Sequence, residues 1–288
     1  MYEKVYLKQV SLQYLQQKFD ARYLHPKLFG YFALHNGEPV AVTTAIPYML
    51  QHKGVAELTV QSLDSITMPG FQGKGLFTKL SNMLFADLQP EGITCIWGFP
   101  NKNSEIIYSK LNWSPGRQVN GYRIPVLNRY PAYLLRLGNK LVYGDNAAQK
   151  VFKKVLTDER PDASFAATDY VCTVRDKGFY NYKSFGKNFC IVINGKRIWL
   201  KQAGSLNVGE IDPLNDDEIL PLVSELKKYA LRLGAPFIFF QTSGGTVNDA
   251  VFQKHFEKFE SWKIGYNNVC SKLPLERLSV TWADMDTF

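Results

Sequence analysis

Between residues 60 and 80 the chain changes period. An extended run over residues 60–68 is cut by Pro69-Gly70, and from Leu76 onward Leu76, Leu80, Met83 and Leu84 recur at helical spacing. The stretch between them, Phe71-Gln72-Gly73-Lys74-Gly75, is glycine-rich and carries one lysine. A strand that enters a helix through such a turn exposes backbone N–H groups with no Cβ in the way. The orphan amides of the helix start and the positive end of its dipole then favour a phosphate. The junction is expected to hold a pyrophosphate-bearing cofactor.

The other elements fall into place around this junction. Ser11 can cap a helix bearing Leu12, Leu15 and Phe19 on one face. Asn36-Gly37 separates two β-rich runs, a hairpin signal because a type I′ turn needs positive φ at both central residues. A strand over residues 55–68, a helix over 76–88, a strand over 93–99 and a helix over 103–111 follow. From residue 188 the order returns: strand, Asn194-Gly195, strand, strand (206–211), helix (216–233), strand (236–240), helix (247–256). Two copies of one fold are expected, over residues 1–128 and 163–288. Residues 129–162 then form a connector. Within it, 130–143 reads as an apolar helix packed between domains, with a membrane-surface helix as the alternative, and 158–162 as a linker. The second junction, from Glu210 through Asp212 to Glu218, is acidic, with Asn215 and Glu218 spaced as a capping box. Its carboxylates repel a pyrophosphate, so the first copy alone is expected to bind one.

A chain of 288 residues suits two domains, and its net charge of +8 favours an anionic partner. Cys95, Cys172, Cys190 and Cys270 are far apart and show no zinc spacing, so no metal is expected and the thiols read as mostly buried. Glu3, Lys4 and Lys8 interrupt any apolar leader, and no apolar run reaches the ~18 residues of a membrane span, which leads to the expectation of a cytoplasmic protein.

Two nucleotide motifs fail. Gly70 and Gly75 have Walker A spacing, but Leu76 stands where lysine is required. Gly73-Lys74-Gly75-Leu76-Phe77-Thr78 lacks the third glycine of a dinucleotide fingerprint and follows antiparallel hairpins. Gln72-Gly73-Lys74-Gly75-Leu76 instead resembles the acyl-coenzyme A loop, Gln/Arg-x-x-Gly-x-Gly/Ala, of the GNAT N-acetyltransferase superfamily, with Phe77 at the final small-residue position. Asn101, seven residues before Tyr108, and the ending Tyr108-Ser109-Lys110-Leu111-Asn112-Trp113 match the next helix of that family. The resemblance covers residues 28 to 115 by motif. It implies an α+β fold, a mixed and mostly antiparallel sheet flanked by helices, duplicated here with a degenerate second copy.

The resemblance further implies transfer of an acetyl group from acetyl-CoA, as co-substrate, to the primary amine of a small molecule. Gln72, Gly73, Lys74, Gly75, Leu76 and Phe77 would hold the pyrophosphate. A backbone N–H of Ile66, Thr67 or Met68 would polarise the thioester, Asn101 would contact the pantetheine or start its helix, and Tyr108 would protonate the leaving thiolate. Asp64 and Glu57, on the strand before the loop, are the candidate bases, Asp64 being nearer the reacting end. A water relay, or an amine already partly neutral, would dispense with both. Two other readings fit the pattern: an aminoacyl transferase resembling the Fem enzymes and using charged tRNA, or a non-catalytic acyl-CoA-binding regulatory module. No basic stripe interleaved with aromatics singles out nucleic acid.

Overall fold

The protein is described from a computed structural model, which covers residues 1–7, 9–127, 134, 137, 147–165 and 168–288. Helices α1 (Tyr2–Tyr6) and α2 (Leu12–Lys18) open the chain, and the Ser11 hydroxyl caps α2 by accepting from the Tyr14 amide at 3.1 Å. Strands β1 (Phe29–His35), β2 (Glu38–His52) and β3 (Val55–Thr67) follow as a meander. Asn36 and Gly37, with φ of 52° and 80°, make the first turn. Next come α3 (Leu76–Leu88), β4 (Cys95–Gly98), α4 (Lys102–Lys110) and β5 (Ser114–Pro125). The later elements are α5 (Ala147–Phe152), β6 (Leu156–Thr157), β7 (Cys172–Thr173), α6 (Lys177–Lys183), β8 (Asn188–Ile193), β9 (Lys196–Gln202) and β10 (Leu206–Ile211). Helix α7 (Ile219–Arg232), β11 (Phe237–Ser243), α8 (Val247–His255) and β12 (Lys258–Asn268) complete the set.

The chain divides into two compact units, neither of them one stretch of sequence. Unit 1 comprises Met1–Arg117, Val171–Phe185 and Trp262–Leu278; unit 2 comprises Gln118–Tyr170, Gly186–Ser261 and Ser279–Phe288. In unit 1 the strand order is β1-β2-β3-β4-β12, antiparallel throughout except for the parallel pair β3–β4, which α3 connects. Leu80, Leu84 and Leu88 recur every fourth residue on α3 and are buried, Leu84 and Leu88 in a core with Phe29, Ala45, Val60 and Ile96. Burying a leucine side chain is worth about 1.5–3 kcal/mol, so this face of α3 anchors the helix and fixes where its amino terminus lies.

In unit 2 the order is β5-β11-β10-β9-β8-β6, again antiparallel except for β10–β11, which α7 connects. Its core packs Tyr122, Ile191, Leu222, Phe240 and Phe252. Each unit thus runs through a hairpin, a third antiparallel strand carrying a register shift, a crossover helix, a parallel strand and a further helix.

Two expectations meet a different arrangement, and a third falls on residues that are not described. The run at 130–143 lies outside the described residues save Leu134 and Leu137. Residues 158–162, read as a linker, fall inside unit 2, where Arg160 Nη1 donates to Cys190 Sγ at 3.1 Å and the Arg160 carbonyl accepts from Arg197. Asn215 and Glu218 form a turn ahead of α7 rather than a box at its start. Glu218 Oε2 accepts from the Asn215 amide at 2.8 Å and pairs with Lys196 at 2.9 Å, and the helix begins only at Ile219.

Candidate active site

Strand β3 pairs with β4 only at Val60↔Ile96 and Gln61↔Trp97, yet it runs on to Thr67. Among the described residues, its edge from Ser62 to Thr67 therefore has no strand partner on the side away from β2, and its peptide groups are available to a ligand. Met68 N–H donates to Val40 O at 2.9 Å, so the alternation of an antiparallel ladder turns Ile66 and Met68 toward β2 and Thr67 away from it. Of the three amides expected to meet a thioester, only that of Thr67 faces the open edge. Gln72 Nε2 reaches the Thr67 carbonyl at 3.4 Å and ties the loop to this strand end.

The loop turns on three residues with positive φ, Gly70 at 84°, Gly73 at 73° and Gly75 at 72°. Gly75 precedes α3 in the left-handed region, and no side chain caps the helix, so its first-turn amides are presented bare. A Cβ built at Gly73 or Gly75 meets nothing within 4 Å; it is the backbone conformation, not crowding, that calls for glycine. Lys74 is exposed and its ammonium sits 4.7 Å from the centre of the Phe71 ring, held at the loop as a surface cation. Leu76 is half-buried. Phe77, the departure from the family pattern, points inward: its ring meets Tyr108 edge-on at 5.4 Å and packs on the unit 1 core, leaving the loop face clear.

Tyr108 comes from α4. Asn101 caps that helix, its Oδ1 accepting from the Ser104 amide at 3.0 Å while its own amide donates to Ser104 Oγ at 2.9 Å. Asn112 closes it in the left-handed conformation, φ 58°, which explains why asparagine can stand where the family motif has glycine. The Tyr108 hydroxyl lies 3.1 Å from Ser62 Oγ, and Ser65 Oγ, 3.0 Å from Thr43 Oγ1, also bonds it. The ring lies against Trp113, tilted by 39° with centroids 4.2 Å apart, and is partly accessible, but the hydroxyl is enclosed, and burial raises its pKa against the lowering effect of the two serines. It is a protonated phenol at neutral pH, held on the face of β3 that carries Ser62.

The two carboxylates part company. Asp64 sits where Thr43 faces two residues of β3, a bulge between the pairs Val42↔Ile66 and Thr44↔Leu63, and takes φ 43°. Its Oδ2 accepts from Lys18 Nζ at 2.6 Å, with the side chains only 13% and 5% exposed. Tyr2 O–H lies 3.4 Å from the same ammonium, and its pKa is raised, by burial first and then by Asp64. Glu57 lies five residues before Ser62, roughly 16 Å along the strand. Burial pushes its carboxyl up, but hydrogen bonds from Ser271, Thr94 and the Lys272 amide outweigh this and hold it below the ordinary range. The structure brings Tyr108, Thr67 and the loop to one end of β3 and leaves Glu57 at the other.

The first 116 residues match the family model described as an acetyltransferase (GNAT) domain. Over these residues the chain is similar to GNAT acetyltransferase domains. Solved structures share the fold across both units. A GCN5-related N-acetyltransferase from Kribbella flavida is 12% identical, with a TM-score of 0.53 over 91% of this chain and 71% of its own. A protein of Enterococcus faecalis described as a probable N-acyltransferase is 13% identical, TM-score 0.57, over 91% and 72%. A GCN5-related N-acetyltransferase from Anabaena variabilis is 10% identical, TM-score 0.57, over 93% and 68%. A search of curated proteins finds no match. The match ends at the start of β5, while β12, which pairs with β4, lies far outside the matched residues. No helix among the described residues is long and apolar enough to cross a membrane. Sequence reasoning missed Ser62 and Ser65; a serine every third residue on a strand becomes legible as a pair only once the bulge is known.

Proposed function

We propose that the protein transfers an acetyl group from acetyl-CoA to a primary amine of a small molecule by direct attack. The observation that carries this reading is the run from the unpaired edge of β3 into the uncapped amino terminus of α3. The edge suits the amides of a pantetheine arm, and the bare amides from Gly73 to Phe77 suit its pyrophosphate. Thr67 N–H is the donor placed to polarise the thioester carbonyl; donors of this kind lower a barrier by about 3 kcal/mol. The lone pair of the neutral amine forms the C–N bond, the C–S bond breaks, and the departing thiolate takes the Tyr108 phenol proton. The proton shed by the amine passes to Asp64 or to water, and Glu57 takes no part. Asn101 acts by starting α4, which sets Tyr108. The second unit is a degenerate copy: Asp212 and Glu218 occupy its strand-to-helix junction and are already committed to Arg197 and Lys196.

Thermal unfolding with acetyl-CoA tests the binding step. Ligand at ~100 times its dissociation constant adds about 2.7 kcal/mol, and an unchanged melting temperature at millimolar coenzyme refutes the reading. Release of free CoA thiol in the presence of amines tests transfer.

A further inference from the structure

On the α1–α2 side of β3, a cleft of about 440 Å³ opens in unit 1. Its floor is β3 itself, at Asp64 and Ile66, one residue from the Thr67 amide. Its walls are apolar: Tyr2, Leu15, Phe19, Phe32, Val42 and Ile66 face it. Phe32 lines it and is 61% exposed, so its ring is open to a ligand.

The cleft carries no net negative charge. Asp64 is matched at 2.6 Å by Lys18, and Glu3 and Lys4 at the rim carry opposite signs. A polycation such as a polyamine or an aminoglycoside finds no net counter-charge here. An amino sugar would set a ring of hydroxyls against side chains that offer few hydrogen bonds, and each unpaired polar group so buried is penalised. An aryl or alkyl group loses nothing on entering and covers Phe32. The volume matches a small ligand, at the lower end of the ~300–1,000 Å³ range of such sites.

We infer that this cleft takes the acceptor, and that the acceptor is a monoamine on an aryl or alkyl body. The inference rests on the acetyl-transfer reading, which places the thioester at the Thr67 end of β3. The body fills the apolar walls, and the amino group lies over the floor at Asp64, level with the reacting carbon.

The full chain is assayed for CoA-thiol release with saturating acetyl-CoA and five amines: 2-phenylethylamine, n-hexylamine, glucosamine, spermidine and lysine. The expected kcat/KM for the first two exceeds that for the others by at least ~10-fold. Phe32→Ser is expected to raise KM for 2-phenylethylamine about 5–10-fold with KM for acetyl-CoA unchanged, a loss in keeping with one apolar contact. Leu34→Ser, exposed on the same strand but outside the cleft, leaves both unchanged. Glucosamine or spermidine turned over as well as the apolar amines, or an indifferent Phe32→Ser, overturns the inference. Direct binding of 2-phenylethylamine and glucosamine, by calorimetry without coenzyme, judges the cleft separately. Preference for 2-phenylethylamine that Phe32→Ser abolishes supports the inference even if acetyl-CoA fails to bind, a failure that counts against the transfer reading alone; no preference overturns it.

Discussion

Lys18→Met leaves the Asp64 carboxylate in a near-dry site with its cation gone. The pair is 2.6 Å apart, Lys18 is 5% and Asp64 13% exposed, and the methionine retains most of the apolar stem. Breaking a buried pair from one side costs about 3–5 kcal/mol, and the residual exposure of Asp64 places this case near 3. For a unit of roughly 150 residues, at about 2–4 °C per kcal/mol, the melting temperature should fall by roughly 6–12 °C. Lys18→Met/Asp64→Asn removes both charges, and asparagine tolerates the positive φ at position 64. The double variant should recover to within about 1 kcal/mol of the parent, about 2 kcal/mol better than Lys18→Met alone. Urea unfolding followed by circular dichroism reads this as a shift of midpoint at constant slope. A Lys18→Met midpoint within about 1 kcal/mol of the parent would refute the claim that this carboxylate is desolvated, since exposed pairs contribute no more than that.

Other outcomes are equally definite. Tyr108→Phe should lower kcat at least ~10²-fold with the acetyl-CoA dissociation constant nearly unchanged, as expected for a lost proton donor; unaltered turnover removes Tyr108 from the chemistry. Ser62→Ala deletes a hydrogen bond that lowers the Tyr108 pKa, so the alkaline limb of the kcat profile should move up. A limb moving down would show that the serine bonds the neutral phenol instead. Gly75→Ala forces a side chain into φ 72° and should weaken acetyl-CoA binding while costing about 1–2 kcal/mol of stability, measured by calorimetry and melting. Burial pushes the Cys190 thiol up to about 11, against the pull of Arg160, so its protonated form favours the fold. That contribution is intact below the unfolded pKa, near ~8.5, and is lost as pH climbs toward 11. At pH 8 a maleimide should label exposed Cys270 and spare buried Cys95, Cys172 and Cys190 until the protein unfolds; rapid labelling of Cys190 would contradict its burial.

Elements fixed by local chemistry were legible in the chain. Helix α3 has the expected bounds, as do β8 and β10, because period and turn residues lie within each segment. Strands β5 and β12 were not. Ser114-Pro115-Gly116-Arg117 and Lys258-Phe259-Glu260-Ser261 carry proline, glycine and charge where a strand signal is sought, and the partners that make them strands are more than a hundred residues away. The strand-to-helix turn was legible because Gly70, Gly73 and Gly75 all take a positive φ that suits glycine. Which carboxylate reaches the site was not, since that turned on the bulge at Asp64 and on the neighbours that hold Glu57 at Lys272. Phe77 shows the opposite limit: its identity broke the pattern, but the direction of its side chain restored it.

Repetition of elements does not make this chain modular. A protein ending at residue 128 would keep the loop, Tyr108 and the cleft, but it would lack the residues of β12 that pair with Cys95–Gly98. The naked edge of β4 would then offer its peptide groups to any passing strand, and self-association is the expected fate. Residues 265–268, late in the chain, thus complete a sheet that begins near its start. A chain cut short between residues 129 and 264 would lose that pairing while keeping every residue of the candidate site.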